Sequence, residues 1–441
     1  MRSRSALLAL VALAACTDGT APTHPTTQIA LDFCSDQVPT LFAYLNTGSN
    51  WVRVTPSVDG TVTFNATDKV GIAMVFQSGS VSLTDIYFAQ MSELQPLLSA
   101  ICTETSGTRT VNGSVASVTG SQEAVISMSG DAALATPAST SFQLLGIAPG
   151  PQDVIAQREN TVGSAIIPDR FIIRRAQNPI SGSTMAVFDF GSTEAVQPAS
   201  NTATITGLVA GENNFIDIAF STASGTNHSL YPSPPFSSAT QTIYGVPSTS
   251  TQSGDLHHLV LESDNAALTG YRGVMRFYKN PADLTLALGA ALSTPSFTSL
   301  GSSPYARIRM TIPFQSDYNS FVTAAYAQGN STAGRQVYVT KTALYDDAPP
   351  TTLWTVDIPD ITGAGGFPSG AGLVSGTNTT RIVEAFSGSL SDYIGEKPTD
   401  GATIKFGGAV SSGSAMVAGQ FNTHGTHVRQ TMKRPFFRTS K

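Results

Sequence analysis

Tyr305-Ala306-Arg307-Ile308-Arg309-Met310-Thr311-Ile312 changes character at every residue. Ala306, Ile308, Met310 and Ile312 fall on one side of an extended chain, and Arg307, Arg309 and Thr311 on the other. A period of two is the signature of a strand with one packed and one solvated face. Similar runs surround it: Leu256 to Glu262, Tyr271 to Tyr278, Leu284 to Leu288, Ser320 to Ala327, Arg335 to Tyr345, Leu353 to Ile358, Arg381 to Phe386, Thr403 to Phe406 and Ala415 to Phe421. No run here demands a helix, so residues 229–430 read as a larger antiparallel β-sandwich domain. A membrane-spanning barrel is set aside, because many of these strands are shorter than the roughly 9–11 residues it needs.

Nearer the N-terminus, Leu41 to Leu45, Trp51 to Val54, Thr61 to Asn65, Gly71 to Gln77 and Val81 to Phe88 are again β-type, punctuated by Gly, Pro, Asn and Asp. Ser92 to Ala100 is the one short helix candidate, with Ser92 as cap and Pro96 limiting its length. Composition agrees with an all-β class. The chain has 441 residues, 12% charged and 41% hydrophobic, with 39 Gly and 25 Pro. Ser and Thr make up roughly a quarter of it, above ordinary usage. A charge-rich disordered chain, a coiled coil and a collagen-like repeat are excluded. With 24 Lys+Arg against 30 Asp+Glu, and no basic block before Lys433-Arg434-Pro435-Phe436-Phe437-Arg438-Thr439-Ser440-Lys441, nucleic acid is not an expected partner. That basic tail, within 431–441, reads as a solvated end.

The first residues carry a location signal. Arg2 and Arg4 precede an apolar stretch from Ala6 to Ala15, too short to span a bilayer and read as a signal peptide over 1–15. Leu13-Ala14-Ala15-Cys16 resembles the bacterial lipoprotein box. That resemblance implies lipid attachment at Cys16 and a membrane partner reached through the acyl chains; Thr17 at the following position implies the outer membrane rather than retention in the inner one. Residues 16–27 read as a flexible tether. Loss of Arg2 and Arg4 takes the formal charge from −6 to about −8, which suits solubility beside a membrane and not capture of anionic lipid.

With Cys16 lipidated, Cys34 and Cys102 remain. In an exported chain they read as a disulfide, the alternative being two buried free thiols. The bond would close a loop of about 68 residues and constrain the unfolded chain by about 4 kcal/mol. The pair delimits a first domain at 28–103.

Residues 120–156 align without gaps on 181–217. Gly130 matches Gly191, Pro137-Ala138-Ser139 matches Pro198-Ala199-Ser200, Gly146 matches Gly207, Gly150 matches Gly211 and Ile155 matches Ile216. Two tandem β-sandwich repeats, 107–166 and 168–228, follow from this. Val111-Asn112-Gly113-Ser114-Val115, and Phe142 to Gly150 followed by Asp153-Val154-Ile155-Ala156, resemble the opening strand and central hairpin of the carboxypeptidase regulatory-like, or transthyretin-like, family. The second repeat departs, with Ala210 in place of the proline and Asn213-Asn214-Phe215 at the next turn. The resemblance implies small Ig-like sandwiches acting as spacers, with no catalysis of their own.

No Gly-x-Ser-x-Gly occurs, and Gly363-Ala364-Gly365-Gly366-Phe367 lacks the strand and helix that would make it a phosphate loop. His257-His258 with Glu262, and His424 with His427, contain enough ligands for zinc or copper, yet successive histidines on a strand face opposite ways. Asp346, Asp347, Asp357 and Asp360 bracket Trp354 near Tyr345 at strand ends. Such carboxylates suit a calcium site, and beside Trp354 they suit a glycan contact or a hydrolytic pair. The sequence therefore predicts a lipid-anchored, modular envelope protein that binds envelope proteins or surface glycans or serves as structure, needing no cofactor unless calcium. The competing expectation is a cell-surface hydrolase of polysaccharide or peptide, using carboxylates of the C-terminal domain.

Overall fold

The computed structural model describes residues 26–33, 38–58, 60–98, 108–163, 165–329, 334–346, 350, 352–394 and 398–412. Cys16, Cys34, Cys102, Asp347, His424, His427, the strand expected over 415–421 and the basic tail lie outside them. The fold is all-β, built from several separate sheets arranged as sandwich-like modules. No helix among the described residues is long and apolar enough to cross a membrane.

Its spine is a twelve-stranded sheet. The strands run in spatial order Asn227–Pro232, Asn213–Ser221, Leu256–Asp264, Gly270–Tyr278, Thr403–Ser412, Thr380–Phe386, Phe321–Gly329, Gly334–Thr342, Val81–Gln90, Lys69–Ser78, Leu41–Asn46 and Val52–Val54. All neighbours are antiparallel except one parallel pair, Gly334–Thr342 with Val81–Gln90, in register from Arg335↔Ser82 to Lys341↔Phe88. Through that pair the segment 28–103 and the C-terminal region share one sheet. Pairing there satisfies a ten-residue strand edge that would otherwise expose its amides and carbonyls.

Smaller layers cover both faces. On one face the hairpin-like pair Thr27–Asp32 and Thr61–Ala66 and the helices Met91–Leu98 and Leu390–Ile394 bury Phe42, Phe64, Phe321, Phe386 and Phe406. Phe321 and Phe386 stack at 4.4 Å. The first helix matches the one expected near Ser92; Glu93 closes its start by accepting from the Gln90 amide at 3.0 Å. On the other face, Ser296–Gly301, Arg307–Pro313 and Leu353–Asp357 enclose Met310, Ile312, Tyr326 and Trp354. Beside them Ala199–Thr206, Thr240–Gly245 and Leu284–Ala287 close over Ile216, Ile218, Leu259 and Leu261.

A further sandwich stands on its own core. Ser141–Ile147, Arg109–Ala116 and Phe188–Asp189 face Ala165–Gln177, Gln152–Val162, Gln122–Met128 and Asp131–Ala135 across Val111, Ile126, Leu144, Val154 and Phe188. The hairpin implied by the family resemblance is not made here. Ser141–Ile147 pairs with Arg109–Ala116, whereas Gln152–Val162 pairs with strands of the other sheet. Gly146 and Gly150, at φ +68° and +95°, turn the chain from one layer to the next, so Leu144 and Val154 meet in the core instead of lying side by side. The aligned residues repeat the device: Gly207 and Gly211 sit at φ +82° and +89°, and Ala199–Thr206 and Asn213–Ser221 again lie in different sheets. The second copy draws its remaining strands from as far as Leu284–Ala287, because the apolar face of Asn213–Ser221 needs that cover.

Candidate functional site

Of the carboxylates singled out in the sequence, the described ones, Asp346, Asp357 and Asp360, are each engaged separately. Asp346 pairs with Lys341 Nζ at 2.6 Å, and Asp357 takes Arg309 Nε and Nη2 at 2.8 and 2.7 Å. Asp360 accepts from the amide and hydroxyl of Thr362 at 3.1 and 2.6 Å. Each carboxylate is thus held by its own partner. Among the described residues no group of three or more His, Cys, Asp and Glu side chains is placed to hold a metal ion, which leaves the calcium expectation at these aspartates without a cage. Trp354 corrects the glycan expectation: it is 1% exposed, inside the core between sheets, because Leu353–Asp357 is a sandwich strand whose even-numbered residues point inward. Tyr345 packs edge-on against Phe88.

The histidines are structural in geometry. His257 and His258 face opposite sides of their strand, as alternation requires. His257 Nε2 accepts from the Val246 amide at 2.9 Å, so Nδ1 carries the proton and donates to the carbonyls of Tyr278 and Lys279. Burial lowers its pKa to about 4. His258 meets the Ser221 hydroxyl at 2.5 Å.

Two places have chemistry of their own. The first is a buried acid cluster on the spine. Register places Asp217, Glu262, Asp264, Tyr271 and Glu384 on one face of adjacent strands, joined through Asp264↔Tyr271, Tyr271↔Gly408 and Glu384↔Gly408. Arg272, Arg276, Arg335, Lys341, Arg381 and Lys405 alternate onto the opposite face. The Lys and Arg side chains of these strands therefore lie on the face away from the acids. The Tyr271 hydroxyl donates to Glu384 Oε1 at 2.5 Å, and Thr323 reaches Oε2 at 3.4 Å. Burial raises the Glu384 pKa to about 7 against the opposing pull of those hydrogen bonds. Glu262 is raised well above the usual carboxylate range, by burial first and then by Asp264, and its Oε2 has no hydrogen-bond partner. Glu262 and Glu384 are 4% and 8% exposed, so this is an interior cluster and not a cleft open to a substrate. The even-spaced acids Glu262 and Asp264 were visible in sequence; the arrival of Glu384 beside them depends on strand order, which no local pattern encodes.

The second place is an open groove of about 690 Å³ over the outer layer. Its wall is the loop 362–376, and its floor includes Tyr305 and Arg335. Three buried or half-buried side chains pin that loop. Tyr305 donates to the Pro359 carbonyl at 2.6 Å and accepts from the Ile361 amide at 3.0 Å. Gln328 bonds both backbone groups of Val374, at 2.9 and 2.8 Å. Arg335 Nε donates to the Gly370 carbonyl at 2.6 Å. Phe367, half-buried, stacks on Tyr305 at 4.9 Å and 25°. Gly366 and Gly370, at φ +69° and +83°, take a backbone shape other residues resist, and the Arg53 guanidinium lies directly against Gly366. The glycine run set aside as a phosphate loop therefore contributes to the wall of a groove, positioned by side chains far away in sequence.

A smaller cavity of about 250 Å³ lies beside Glu212 and Arg272. There Arg272 is spent on structure, bonding Glu212 at 2.6 Å and the carbonyls of Gly289 and Gly207 at 2.6 and 2.7 Å. Comparison with known proteins gives no matching family model and no matching curated relative.

Proposed function

We propose that this is a lipid-anchored cell-envelope protein of the outer membrane, whose β modules serve a structural role or bind a surface glycan or envelope protein. The observation that carries the binding half is the groove over loop 362–376: roomy, with Tyr305 and Phe367 in its lining, and held in shape by Tyr305, Gln328 and Arg335 before any ligand arrives. A pocket of a few hundred Å³ with a few fixed polar groups is the form small-ligand sites commonly take. The membrane half rests on Leu13-Ala14-Ala15-Cys16. The sandwich around Val111, Leu144 and Phe188 suits the spacer role that the transthyretin-like resemblance implies, though its layers are joined by a corner.

Two exposures of the full-length protein test the reading: an array of bacterial surface polysaccharides, and a pull-down from solubilised envelope. Retention of a glycan or an envelope protein that is lost in Phe367→Ala is the expected result. A protein that retains nothing on either, while melting as a folded chain, overturns it.

A further inference from the structure

The geometry points to a carboxylated saccharide as the occupant of the groove: a hexuronate unit whose ring lies against Phe367 and whose carboxylate is taken by Arg335. This rests on the binding reading above and narrows it to one ligand chemistry.

Charge is the first argument. The chain is acidic, at −6, yet the only charged residue lining the groove is Arg335, and no carboxylate lines it. The nearest acid along the loop, Asp360, is committed to Thr362. Six of the other described arginines are committed to anions: Arg158 and Arg170 meet Asp169, Arg174 meets Glu194, Arg175 meets Asp153 and Asp255, Arg272 meets Glu212, and Arg309 meets Asp357. Arg335 and Arg53 make no ion pair among the described residues. Arg335 uses Nε on the Gly370 carbonyl, which fixes the side chain and leaves its two terminal nitrogens as a fork. A guanidinium fork matches a carboxylate in a planar, two-bond geometry.

Shape is the second argument. Glycines at 366 and 370 keep side chains out of this part of the groove wall, so a ring can approach backbone there. Phe367 supplies a flat apolar surface, held by its stack on Tyr305. Arg335 stands at Gly370, and Arg53, on the edge strand Val52–Val54, backs the loop at Gly366. Because the wall is already pinned, little ordering is needed on binding.

Calorimetry on the full-length protein in detergent micelles tests this with three probes at equal ionic strength: tetragalacturonate, its methyl ester, and inorganic polyphosphate. The acid should bind at least ten-fold more tightly than the ester. Arg335→Gln should weaken the acid at least ten-fold and abolish its advantage over the ester, and Phe367→Ala should weaken both sugars alike. Melting curves establish that each variant is folded. Ester binding equal to acid binding, or an Arg335→Gln Kd within two-fold of wild type, overturns the uronate inference while leaving a glycan site in place. Polyphosphate binding as tight as the acid and indifferent to Phe367→Ala reduces the groove to plain anion capture. No sugar binding at all removes the glycan reading along with the inference.

Discussion

Tyr271 and Glu384 lie on strands that never touch, yet the tyrosine hydroxyl donates to Glu384 Oε1 at 2.5 Å across Gly408 of the strand between them. Glycine is what makes this contact fit. A methyl group at Gly408 would fall 2.1 Å from the Tyr271 ring, so the side chain must cross over bare backbone. The bond ties three strands of the spine together inside an acid cluster whose strands turn their Lys and Arg side chains to the other face.

Stability should therefore fall as pH rises through neutrality. The Glu384 carboxyl has a folded-state pKa of about 7 against 4.5 for the free group, so its contribution is complete below about pH 4.5 and lost as pH climbs through 7. The full swing is on the order of 3 kcal/mol, with Glu262 adding in the same direction. Urea melts at pH 6.5 and 8.5 should show a lower midpoint at the higher pH, and Glu384→Gln should flatten that difference. Parallel pH profiles for the two proteins would disprove the assignment.

His228 sets the opposite limb. It is buried with Ser127 Oγ at 2.8 Å from Nδ1, and burial lowers its pKa to about 3. A base depressed in the fold contributes stability above its unfolded value near 6.5 and loses it as pH falls toward 3. The acid cluster opposes this between about pH 4.5 and 6.5, so the net slope there is small and the histidine is best read by difference. Replacing both partners, His228→Leu with Ser127→Ala, should raise the thermal midpoint at pH 5 relative to pH 7 when compared with wild type. An unchanged ratio between the two pH values would mean that His228 does not titrate with unfolding.

Trp354 is a core residue and should behave as one. Trp354→Ala should cost roughly 3–5 kcal/mol in urea unfolding, and Trp354→Phe less, because it keeps a ring beside Ile312 in the core between the sheets. Asp357→Ala breaks an ion pair whose side chains are both more than a third exposed, so its cost should stay below about 1 kcal/mol. Comparable losses for Asp357→Ala and Trp354→Ala would contradict this placement.

Much of the architecture could be read from alternation. The period of two at Arg307–Pro313 and the even spacing of Val260, Glu262 and Asp264 are local properties, and they survive in the fold. What could not be read is which edge meets which. The pairing of Val81–Gln90 with Gly334–Thr342 joins residues some 250 positions apart, and nothing in either stretch distinguishes this partner from another β edge. The same limit hid Glu384 from Tyr271, and hid the groove, whose wall and anchors come from 53, 305, 328, 335 and 362–376. Trp354 misled for a related reason: an aromatic among aspartates looks like a surface ledge until the opposing sheet is known.

The aligned glycines offer a finer test of the repeated corner. Gly146 and Gly207 both hold φ above +60°, but their surroundings differ. Nothing lies within 4 Å of a Cβ built on Gly146, whereas one on Gly207 would meet the Leu288 carbonyl oxygen at 3.0 Å. Gly146→Ala should thus cost about 1 kcal/mol, the strain of a left-handed alanine alone. Gly207→Ala should cost more, since Leu288 must also yield, and that carbonyl belongs to the segment that caps the second sandwich. Urea midpoints decide the order. Equal losses would mean that the corner is limited by backbone shape in both copies and that the Leu288 contact relaxes freely. A larger loss at Gly146 would mean that the first corner is held more rigidly by its own sandwich than the open space around that glycine implies.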